Sequence, residues 1–130
     1  MGGVIRLPAQ DAELVDMDTV LGLQRSMAPL EFSETLDRVI FVLTRDLSVT
    51  EHACHSGDWG QVKRYALGLG ELSAEVGLMR LAMVARDLSR VADRADAAAT
   101  GAVTARLVRL GEESLFALVS IADQGPDIHA

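Results

Sequence analysis

Gly57-Asp58-Trp59-Gly60-Gln61-Val62-Lys63-Arg64-Tyr65-Ala66-Leu67-Gly68-Leu69-Gly70-Glu71-Leu72-Ser73-Ala74-Glu75-Val76-Gly77 is the most informative segment of the chain. Asp58 followed by Gln61 has the form of a capping box, with an acceptor at the cap and Gln three residues on. Val62, Ala66, Leu69 and Val76 recur at helical steps and form one apolar stripe, with Tyr65 and Leu72 alongside. The spacing predicts a helix through Val76, and Gly77 is read as its stop or as a point of close packing. Lys63 and Glu71 lie four residues to either side of Leu67 and mark a polar face, so this leucine is expected in solvent.

Upstream, Phe32, Leu36, Val39, Ile40, Leu43 and Leu47 repeat at three- and four-residue steps, which predicts a long helix from about Leu30 to Cys54. Ser56-Gly57 breaks it. A shorter helix, capped by Asp16 or Asp18 and carrying Val20, Leu21 and Leu23, precedes it and stops before Pro29. Downstream, Leu81, Val84, Ala85, Leu88 and Ala92 predict a helix from about Leu78 to Asp93. Val103, Leu107, Leu110, Leu118 and Ile121 predict another from about Asp96 to Ala122. No segment alternates as a strand between hairpin turns. Short connections between long helices make neighbours antiparallel, so the expected fold is all-α, an up-down four-helix bundle with a short additional N-terminal helix. Residues 1–16 read as a partly flexible lead-in, 17–123 as the bundle and 124–130 as a tail.

The chain has 130 residues, one domain's worth, and is rich in Ala, Leu and Val with few aromatics, a mixture suited to helix-on-helix packing. Its formal net charge is −7, which disfavours nucleic acid and anionic membrane surfaces as partners. A single cysteine, Cys54, permits no intrachain disulfide and fits a cytoplasmic location. No run of apolar residues approaches membrane-spanning length, and the N-terminus lacks the apolar core of a signal peptide.

Gly57 to Ala66, with its acidic-aromatic cap and short amphipathic run, resembles the start of the helix that carries the phosphorylated histidine in histidine-phosphotransfer (HPt) domains. Val76-Gly77-Leu78-Met79-Arg80-Leu81-Ala82 and the continuation Val84-Ala85-Arg86-Asp87-Leu88 resemble that family's closing glycine and the helix after it. As helix order the resemblance spans roughly Asp18 to Ala122, and its specific part is Gly57 to Leu88. Anchored on Gly77, it implies that the histidine position falls on Leu67, with Leu69 at the leucine position, Gly70 at the lysine and Glu71 at the first glycine. A register shifted by one residue puts Ala66 there, and neither supplies an imidazole. An HPt phosphoacceptor attacks an acyl phosphate through a neutral ring nitrogen, and leucine has no lone pair. Gly70 cannot neutralise phosphoryl charge, and Glu71 adds bulk and negative charge.

The resemblance therefore implies an HPt-like module of two-component signalling that binds a response-regulator receiver domain or a sensor kinase without acting as a phosphotransfer enzyme. Its contact residues are expected to be Lys63, Arg64, Leu67, Gly70, Glu71 and Ala74. Leu67 has plainer readings too: a scattered surface leucine, or a core residue if the helix is rotated. A second functional reading keeps a phosphocarrier and moves the phosphate to His55. A third is a general helical interaction or dimerisation module, and self-association is open. His52 and His55 flank Cys54, but their spacing matches no metal site, and the dipole at a helix C-terminus already favours them there. His129 falls in the tail. Gly68-Leu69-Gly70 lacks the Lys-Ser/Thr of a phosphate loop. Arg80, Arg86, Arg90 and Arg94 interleave with Asp87 and Asp93 as an ion-paired, solvated face. Neither a cofactor nor a metal is expected.

Overall fold

Pro29 opens a helix of 28 residues, where its fixed φ and missing N–H cost nothing in a first helical turn. The computed structural model describes residues 5–8 and 11–124, and the described residues form five helices and no strand. They are α1 (Met17–Ser26), α2 (Pro29–Ser56), α3 (Trp59–Glu75), α4 (Met79–Asp93) and α5 (Ala97–Gln124). Helices α2 to α5 make an antiparallel four-helix bundle: α2 and α4 each pack on both α3 and α5, and α1 leans on α2.

Each corner has a local cause. α2 ends at Gly57, whose φ of 75° lets its N–H reach the Cys54 carbonyl (3.2 Å) while the Asp58 N–H reaches Ala53 (2.9 Å). The Asp58 carboxylate then accepts from the Gln61 N–H at 3.1 Å and caps α3. Only this half of the expected capping box forms, because the Asp58 N–H is already bonded to Ala53. α3 closes at Gly77 (φ 83°), where the Leu78 N–H returns to the Ser73 carbonyl at 2.8 Å. A Cβ on Gly77 would stand 2.8 Å from the Asp16 carbonyl oxygen, so Gly77 is both the stop and the close-packing point. At the last corner Asp96 accepts from the Ala99 N–H (3.0 Å), and Ala97 to Ala99 form the first turn of α5.

The core runs along the bundle axis through Leu36 and Leu43 of α2, Val62 and Leu69 of α3, Leu81 and Leu88 of α4, and Leu107, Leu118 and Ile121 of α5, all buried. The segment before α1 belongs to the packing too: Leu14 and Val15 are buried, and the Asp16 N–H donates to the Gly77 carbonyl at 2.7 Å. α2 extends to Ser56 and α5 to Gln124, each slightly past the range expected from periodicity. Gln124, placed in the tail by periodicity, ends α5, and its side chain makes two 2.7 Å bonds to the backbone of Arg6.

Candidate functional site

The capped start of α3 and its buried stripe fix the rotation of the helix. Val62, Ala66 and Leu69 are fully buried, so residues between them on the helical wheel must turn outward. Leu67 is 45% exposed. That removes the core reading of this residue and meets the expectation of a solvent-facing leucine. Arg64 and Glu71 are exposed on the turns before and after it, and Ala74 is half-buried beyond. Together they give an apolar centre flanked by one charge of each sign.

Lys63 is half-exposed and donates to Asp93 Oδ1 of α4 at 2.7 Å. It thus clamps α3 to α4 at the edge of the face. The Arg64 guanidinium lies 5.9 Å from the centre of the Tyr65 ring, a cation–π distance that leaves its N–H groups available. Gly70 departs from the expected set. It is buried, and a Cβ there would stand 3.6 Å from the Ala82 carbonyl and 3.7 Å from Ala85 Cβ of α4. Gly70 is therefore a packing residue behind the face, because it lies on the flank of α3 that meets α4.

That packing brings in a residue whose spacing along α4 marks only a solvated face. Arg86 Cγ is 3.7 Å from the Cβ position at Gly70, so its stem crosses the site where the resemblance expects a lysine. Arg86 is exposed and makes no ion pair among the described residues. Only the pairing of α3 with α4 brings it to Gly70, three residues along α3 from Leu67, and no pattern within α4 signals it. The other arginines of that helix behave differently: Arg90 pairs with Asp87 (3.3 Å) and Arg80 with Glu13 (3.4 Å).

The histidines lie elsewhere. His52 and His55 are exposed in the last turns of α2, and His129 is outside the described residues. The His55 Nδ1 lies 3.0 Å from the Glu51 carbonyl, to which it donates, leaving Nε2 with the lone pair when the ring is neutral. Among the described residues no group of three or more His, Cys, Asp or Glu is arranged to hold a metal ion. No helix among them is long and apolar enough to cross a membrane.

No protein-family model matches the sequence, and no curated protein matches it. Among solved structures, the fold is similar to the crystal structure of histidine-containing phosphotransfer protein B (HptB) from Pseudomonas aeruginosa PAO1. The TM-score is 0.79 at 19% sequence identity, over 85% of this chain and 96% of that one. The chain thus has the helical-bundle fold seen in a histidine-containing phosphotransfer protein.

Proposed function

We propose that the chain is a non-catalytic HPt-like module of two-component phosphorelay signalling, which binds a receiver domain or a sensor kinase through the Leu67 face of α3. The observation that carries this reading is Leu67 itself, a large apolar side chain left 45% exposed in mid-helix, within a fold shared with a phosphotransfer protein. Lys63, Arg64, Glu71 and Ala74 flank it on the same helix, and Arg86 of α4 packs beside Gly70, three residues on. An apolar centre with a charged rim is the pattern of a protein-docking patch. Leu67 offers no nucleophile to an acyl phosphate, so binding would occur without transfer. A cytoplasmic location fits this reading and the lone thiol of Cys54.

The test is a paired binding and phosphotransfer assay against the receiver domains of the same cell. Binding without label, weakened at least tenfold by Leu67→Asp, is the expected result. A stable phospho-form of the wild-type chain would overturn the non-catalytic reading. Leu67→His asks whether the face still supports transfer once an imidazole is restored.

One observation favours a second reading, a phosphocarrier using His55. The Glu51 carbonyl holds Nδ1 as the donor and leaves an exposed Nε2 lone pair. Leu67, however, is eight residues into α3 from Trp59, roughly 12 Å along the axis at 1.5 Å per residue. The imidazole therefore lies at the end of the bundle, away from the leucine face. Labelling that survives His55→Ala would eliminate this route.

A further inference from the structure

A groove of about 200 Å³ opens between α4 and α5, lined by Arg80, Met83, Val84, Arg106, Arg109, Leu110 and Glu113. Three guanidiniums and one carboxylate surround it, in a chain whose formal net charge is −7. Arg106 and Arg109, three residues apart on α5, are exposed and make no ion pair among the described residues. Val84 and Leu110 are buried and form the floor, while Met83 stands 61% exposed at the mouth. Leaving unpaired guanidiniums over an apolar floor in an acidic protein gains the fold little. It suits a ligand that brings carboxylates and an apolar group together.

We propose that this groove is a second docking surface, whose occupant is an acidic segment of a partner protein carrying an apolar side chain. Paired carboxylates match the planar fork of Arg106 and Arg109, which can take each one through two N–H groups. The apolar side chain rests on Met83 and Leu110, an adaptable pairing typical of protein-binding surfaces. The volume falls below the roughly 300–1,000 Å³ of small-molecule pockets and suits one side chain of a peptide. A second copy of this chain is disfavoured by mutual repulsion of its net negative charge. α5 lies diagonally across the bundle from α3, so Arg106 and Arg109 stand on a helix that does not pack on α3, while α4 borders both the groove and the Leu67 face. The groove stands whether or not the receiver-docking reading of α3 holds.

Fluorescence anisotropy of a labelled Glu-Leu-Glu-Glu-Leu-Glu peptide against the full chain tests this, with a Lys-Leu-Lys-Lys-Leu-Lys peptide as control. The acidic peptide should bind and the basic one should not. Arg106→Gln/Arg109→Gln should weaken binding about fivefold and Arg106→Glu/Arg109→Glu more than tenfold, with unchanged circular-dichroism melts. Leu67→Asp should leave it within twofold. No binding by the wild-type chain, or equal binding by the charge-reversed variant, overturns the proposal. So does a loss in Leu67→Asp as large as in that variant, which would put the peptide on α3. Displacement by millimolar inorganic phosphate at constant ionic strength would make the groove a small-anion site and overturn it too. Self-association abolished by the charge reversal would make the occupant a second copy, and the acidic-partner proposal would fall.

Discussion

Leu67 and Leu69 sit two residues apart on α3 and face opposite environments, one 45% exposed and the other fully buried. Leu67→Asp gives up little buried area and a small helix propensity, so it should cost no more than about 1 kcal/mol. Leu69→Ala opens a cavity in the bundle core and should cost about 2–5 kcal/mol. Urea melts of the two variants check the rotation of the helix before any partner is in hand, and equal losses would contradict it. The hydroxyls of Ser73 and Ser114 are fully buried and have no hydrogen-bond partner among the described residues. Replacing either by Ala removes an unsatisfied group and improves helix propensity, so each variant should gain about 1 kcal/mol in the same melts. The exposure of Leu67 was legible in the sequence because Lys63 and Glu71 flank it at one-turn spacing. The burial of Gly70 was not, since a glycine carries no hydropathy signal and its place behind the face depends on which helix packs there.

At the scale of elements, the two ends of α3 rest on different physics and should fail differently. Asp58 supplies one side-chain bond to the Gln61 N–H, so Asp58→Ala should cost about 1 kcal/mol. Gly77 combines a positive φ with the close approach of the Asp16 carbonyl. Gly77→Ala should therefore cost about 2 kcal/mol or more, since strain adds to a backbone clash that no side chain can relieve. Chemical denaturation of both variants measures the order, and a milder effect at Gly77 would mean that the α3–α4 corner can rearrange. The five helices were readable because buried leucines and valines recur at helical spacing through each of them. Their ends were less so: Ser56 and Gln124 carry no apolar periodicity, although both are helical. Leu14 and Val15 are buried without being helical, held by a bond to a carbonyl more than sixty residues away, and no local pattern marks them.

For the whole molecule, the contacts that close the bundle join residues far apart in sequence. Lys63 reaches Asp93, and Gln124 reaches Arg6. The Lys63–Asp93 pair is largely exposed and contributes little by itself. The Gln124 clamp is of another kind. Its Oε1 accepts from the Arg6 N–H and its Nε2 donates to the Arg6 carbonyl, both at 2.7 Å, while Nε2 also meets the Ser120 carbonyl at 3.1 Å. One amide side chain thus satisfies both backbone groups of a residue that belongs to no helix, much as a paired strand would. Ile5 and Leu7, on either side of Arg6, pack against the core and are held there by that clamp. Gln124→Ala should therefore release 5–8 as a unit while leaving α2 to α5 intact. The Arg6 amide should lose its protection from hydrogen exchange, global stability should fall by about 1 kcal/mol, and binding at the Leu67 face should not change. Fast exchange of Arg6 in the wild-type chain would show that the clamp does not persist in solution, and residues 5–8 would then contribute nothing to the fold.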